Sequence, residues 1–121
     1  MLVEKAFAKL HGCYDNIIAG FTLESFGILT GAPTEMKFHR KTPDILVRVS
    51  NAFKNGHLVT AITNFMKGEK KEFKEEFGLI PAHAYTLLDV IKVRSLDIKL
   101  VKLRNPTTVS EWKGPWSRQS P

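Results

Sequence analysis

Cysteine is nearly missing from this chain of 121 residues. The single thiol, Cys13, has no partner for an internal disulfide, which points to a reducing compartment, the cytoplasm by default. Long apolar runs are missing too, so no segment is expected to span a bilayer. The first residues, Met1-Leu2-Val3-Glu4-Lys5, turn amphipathic at once and do not read as a secretory signal. No repeat, low-complexity tract or interdomain linker is visible. The four histidines, His11, His39, His57 and His83, form no closely spaced metal pair. There is no glycine-rich phosphate loop, and no serine sits in a Gly-x-Ser-x-Gly elbow.

What is present is enough apolar material for a core, 43% of the residues, in a length that suits one compact domain. The net charge of +6 favours acidic partners in general. Its carriers are scattered, with Lys37, His39, Arg40 and Lys41 in one place and Lys99, Lys102 and Arg104 in another. No arginine-rich tract accompanies them, so nucleic-acid binding is disfavoured.

Helices are expected first. Val3, Ala6, Phe7 and Leu10 share one face at helical spacing, and Gly12 follows as a stop. Thr22 is placed to cap a short helix carrying Leu23, Phe26 and Leu29. Thr42-Pro43-Asp44 predicts a third helix start, with the stripe Ile45, Leu46, Val49, Ala52 and Phe53 behind it and Asn55-Gly56 as its end. Strands follow. Leu58 to Thr63 is rich in β-branched residues, His83 to Val93 reads as a strand with room for a bend, and Asp97 to Arg104 is closed by Asn105-Pro106. The lysine–glutamate stretch from Lys67 to Glu76 predicts a solvated loop or short exposed helix. Helices followed by strands without crossover helices predict an α+β fold with a largely antiparallel sheet.

Two residues could do chemistry together. His83 opens one strand and Asn105 directly follows another. If those strands are neighbours, the asparagine oxygen can accept from one imidazole nitrogen and leave the other free to take a proton from a thiol. On spacing alone this signal is weak, because a lone histidine at a strand end is usually structural and an Asn-Pro pair is usually just a turn. Cys13 does not suit the nucleophile's part. It follows the expected end of a helix, where the dipole disfavours a thiolate, and a partly buried structural thiol is the better reading.

Around this pair run the segments Gly78-Leu79-Ile80-Pro81-Ala82-His83-Ala84-Tyr85-Thr86 and Leu103-Arg104-Asn105-Pro106. They resemble the Gly-His-Ala-Tyr-Ser and Arg-Asn-Pro-Trp-Gly segments of the calpain family of cysteine proteases. Glu111-Trp112-Lys113-Gly114-Pro115-Trp116-Ser117 is similar to Glu-Trp-x-Gly-x-Trp-Ser. Leu2 to Tyr14 resembles a helix of the family, and Thr22, Glu24, Phe26, Thr30, Gly31, Thr34 and Glu35 follow in the family's order.

The resemblance implies a papain-like protease core of two lobes. Residues 1–121 would be the end of the first lobe and most of the second, right-hand lobe, a twisted antiparallel sheet with flanking helices. It implies His83 as general base, Asn105 as the residue that orients it, and Ala82 against the substrate backbone. A lobe bearing the nucleophilic cysteine would be the partner, proteins the substrates and calcium the family's cofactor, with Glu111 as one calcium ligand. The family's Gly-x-Cys-Trp motif is not in this sequence, so this chain alone is expected to be inactive and to bind no calcium. Three departures stand out. Ala82 replaces a glycine, Thr107-Thr108 replaces Trp-Gly, and Arg118 stands where the family carries a second acidic calcium ligand. These departures leave a non-catalytic binding or scaffold homologue as the alternative.

Overall fold

A computed structural model describes residues 1–63, 77–107 and 110–120. The lysine–glutamate stretch therefore lies outside the described residues. The chain forms two compact units, Met1–Phe38 and His39–Pro121.

The first unit is helical. Helix α1 spans Leu2–Leu10 and α2 spans Thr22–Thr30, with a 3-10 turn at Asp15–Ile17 between them. In α1 the expected stripe is only partly covered. Phe7 is half-buried and its ring tilts against His11 at 4.6 Å, while Val3 and Leu10 are exposed. The residue that is buried, Ala8, lies off that stripe at 3% exposure. Two nine-residue helices offer too little surface within this unit to cover a full apolar face. Thr22 is the first helical residue of α2, and the cap position falls to Phe21. Cys13, expected to be partly buried, is exposed just beyond α1.

The second unit packs α3, Ile45–Lys54, against an antiparallel sheet of β1 (Thr60–Ile62), β2 (Ala84–Val93) and β3 (Ile98–Arg104) in the order β1-β2-β3. The expected α+β architecture is thus present. The predicted stripe of α3 is half-buried throughout, at Ile45, Leu46, Val49, Ala52 and Phe53. The helix starts later than Thr42-Pro43-Asp44 suggested. Asp44 holds the cap position without a side-chain bond, and the Ile45 N–H donates to the Thr42 carbonyl at 3.2 Å. A 3-10 turn at His39–Lys41 feeds directly into this tight first turn, so a backbone oxygen takes the donor expected for the Thr42 hydroxyl. At the other end, His57 N–H donates to Ala52 O and Gly56 N–H to Phe53 O, both at 3.0 Å. With Gly56 at φ +77° this is a Schellman closure, and Asn55 keeps a negative φ.

β1 is shorter than the expected Leu58–Thr63, but single bonds extend its ladder at both ends. Leu87 N–H donates to Val59 O at 3.0 Å, and Thr63 N–H to His83 O at 2.9 Å. The bend anticipated in β2 is a bulge. Leu87 pairs with Leu103 and Asp89 with Lys102, leaving Leu88 as the extra residue. The Val90 N–H at this irregularity donates to the Asp89 carboxylate at 2.7 Å. The sheet's most buried residues are Tyr85 at 5% and Leu87 at 6% exposure, next to the end where β2 begins. No helix among the described residues is long and apolar enough to cross a membrane.

Candidate active site

The pair picked out by sequence lies at one end of the sheet. His83 immediately precedes β2 and Asn105 immediately follows β3, and the last ladder pair between those strands is Thr86 with Arg104. Antiparallel pairing therefore brings the two residues together, and His83 Nε2 lies 2.8 Å from Asn105 Oδ1. The partners of the amide fix its orientation. Asn105 Nδ2 donates to the Ser110 carbonyl at 2.9 Å, and Oδ1 receives the Thr107 N–H at 3.1 Å. Oδ1 can only accept, so Nε2 carries the ring proton in this arrangement and Nδ1 is the basic nitrogen.

The main chain of His83 is held from the opposite side. Its N–H donates to Thr63 Oγ1 at 3.0 Å, while the Thr63 N–H returns a bond to His83 O. The Thr63 hydroxyl also reaches the Ile80 carbonyl at 2.6 Å. The Ile80 N–H donates to the Tyr85 hydroxyl at 2.9 Å, and the Tyr85 ring meets His83 edge-on at 5.0 Å. Tyr85 and His83 are two apart on an extended segment and so share a face. These bonds close the turn of residues 80–83. That turn holds Ala82, the expected substrate neighbour, exposed and at φ +51°. This is left-handed backbone, which a glycine adopts without cost and an alanine does not.

A second clamp ties the loop after β3 to the segment before His83. Ser110 Oγ donates to Gly78 O at 3.0 Å and Lys113 N–H to Phe77 O at 2.9 Å. The rings of Phe77 and Trp112 lie 5.5 Å apart. Gly78 has φ +79°, and a Cβ there would overlap the Glu111 carbonyl. Thr63, Tyr85, Gly78, Thr107 and Ser110 were not singled out as site residues by their spacing. A threonine at a strand end or a serine in a loop carries no local signal of a contact so distant in sequence.

Glu111 is exposed, and its Oε1 lies 4.0 Å from Arg118 Nη1. A guanidinium beside the carboxylate opposes a divalent ion and supplies no oxygen ligand. Among the described residues, no three histidine, cysteine or acidic side chains gather as a ligand set. The described residues around Glu111 thus do not fit a calcium ion.

Comparison with known proteins shows the family. The profile of the calpain family cysteine proteases matches residues 1–121. Calpain-9 of Mus musculus is 37% identical over 99% of this chain, and the chain covers 18% of that protein. Calpain-9 of Homo sapiens is 33% identical over 99% of the chain, again covering 18% of the relative. The calpain-1 catalytic subunit of Rattus norvegicus is 34% identical over 98% of the chain, which covers 17% of it. The chain thus spans under a fifth of these relatives, and by its sequence it belongs to the calpain family of cysteine proteases.

Proposed function

We propose that this chain supplies the general-base half of a calpain-type cysteine endopeptidase, acting on protein substrates in the cytoplasm. The 2.8 Å bond between His83 Nε2 and Asn105 Oδ1 carries the reading. With Nε2 held by Asn105, the free Nδ1 takes the proton from a cysteine thiol on a second lobe. The thiolate attacks the peptide carbonyl, and the imidazolium returns the proton to the leaving amine. Asn105 keeps the ring in one tautomer and one plane. Residues 1–121 are, on this reading, the end of the first lobe and most of the second. Exposed apolar side chains such as Leu2 (85%), Ile18 (81%) and Leu58 (67%) suit a chain that docks on further protein. The chain alone, with only the exposed Cys13, is inactive. Any calcium dependence resides in residues other than the Glu111–Arg118 pair.

The test is His83→Ala in the protein that carries the cysteine lobe. Cleavage of a fluorogenic peptide should fall about 10²–10⁴-fold, and undiminished cleavage would end the proposal. The second reading, a non-catalytic scaffold homologue, draws on Ala82 at φ +51° and on Arg118 facing Glu111. Serine, lysine or glycine at the cysteine position of the preceding lobe would favour it, and cysteine would favour the protease.

A further inference from the structure

We propose that the hydroxyl of Thr107 is a positioning group for the His83–Asn105 pair, which deepens the protease reading and rests on it. The family resemblance expects a tryptophan at this position, and the chain has a residue with a donor instead. Thr107 Oγ1 lies 3.1 Å from Asn105 Oδ1, the same distance as its own backbone N–H. Three donors therefore converge on one oxygen, with the His83 ring the nearest at 2.8 Å.

An asparagine amide can be turned end for end with little change in shape, and only its partners choose the orientation. In the flipped form, the NH2 group would face the Thr107 N–H, donor against donor. Oδ1 would face the Ser110 carbonyl, acceptor against acceptor. The ring would lose the acceptor that holds Nε2–H. The Thr107 backbone N–H thus guards the oxygen side of the amide, as the Ser110 carbonyl guards the nitrogen side. The backbone N–H is available from almost any residue, but the hydroxyl depends on threonine or serine. It can donate or accept, so it does not choose the orientation; it adds a second tether from Thr107 to the oxygen that the backbone N–H has already selected. Thr107 is exposed, so its side chain is free to act on the pair without supporting a core. It touches no reacting atom; its effect on proton transfer passes through Asn105.

The experiment reads the His83 ring proton in the intact chain. Solvent exchange of Nε2–H is followed by NMR in the unaltered chain and in Thr107→Val, Thr107→Ala and Thr107→Ser. Losing one hydrogen bond from the network should speed exchange about fivefold or more in the valine and alanine variants. Serine should restore the slow rate. The backbone amide of Leu87 serves as the control for the sheet, and it should exchange equally in all four proteins. Exchange within twofold of the unaltered chain in both the valine and alanine variants would overturn the proposal, as would a ring proton too fast to detect in the unaltered chain. Failure of serine to rescue would overturn it as well. Retained cleavage in His83→Ala would instead refute the general-base reading and leave the ring-proton result standing.

Discussion

The two ends of the β2–β3 ribbon are built differently. At the site end, β1 adds a third strand, and Tyr85 and Leu87 are buried. Main chain and hydroxyls are bonded across Thr63, Ile80, His83 and Tyr85. Past the Leu88 bulge, residues 89–93 of β2 pair with β3 alone among the described residues. Ile91, Leu96, Ile98 and Val101 are exposed there, and Lys92 stands opposite Lys99. Order is concentrated where the candidate chemistry lies. A general base must hold its geometry closely, because a small misplacement costs much of the rate. A ribbon tip carries no such demand.

The largest effect should come from Gly78→Ala at the site end. The substitution puts a methyl group into the Glu111 carbonyl and an alanine at φ +79°. Positive φ costs about 1–2 kcal/mol, and the overlap adds roughly 1–3 kcal/mol. A loss of about 3 kcal/mol is expected from urea unfolding. The Ser110–Gly78 and Lys113–Phe77 bonds should open first, visible as faster amide exchange at Lys113. An alanine variant as stable as the unaltered chain would show that the clamp does not support the site.

This contrast was only partly legible in the sequence. The helices and the three strands each had a local cause, while the His83–Asn105 pair stood out through the family resemblance. Apolar spacing revealed α3, β-branched runs revealed β1, and Pro106 marked the end of β3. The clamp had none. Gly78 and Glu111 are far apart in the chain, and only the folded loops bring them into contact. The α3 start was misplaced because the 3-10 turn at His39–Lys41 let a backbone carbonyl replace the Thr42 hydroxyl. Ala82 was legible as a departure from the family's glycine. Its strained φ was not, because that follows from the bonds Thr63 and Tyr85 make to Ile80.

Ala82→Gly should sharpen the comparison by stabilising the site end. Glycine relieves the left-handed strain of about 1–2 kcal/mol, while the more flexible unfolded chain returns about 0.4–1 kcal/mol of that. A net gain of about 0.5–1 kcal/mol is expected in urea unfolding. On the protease reading, removing the exposed methyl beside His83 should also lower KM for an extended peptide in the complete enzyme. A variant less stable than the unaltered chain would mean that the turn does not hold residue 82 at positive φ.

The smallest effect belongs at the tip. Lys99→Glu turns the like-charged pair with Lys92 into an opposite-charged one. Lys92 already reaches Asp97 at 3.0 Å, and both of those side chains are more than half exposed. Lys92 would then be shared between two carboxylates, so the gain is expected to be only about 0.3 kcal/mol. It should fade by 1 M salt, where screening reaches about 3 Å. The His83 ring-proton exchange should not change, since the altered pair lies beyond the bulge. A large shift in either quantity would mean that tip and site are energetically coupled. The order at the His83 end would then belong to the whole ribbon instead of to the turns and clamps around it.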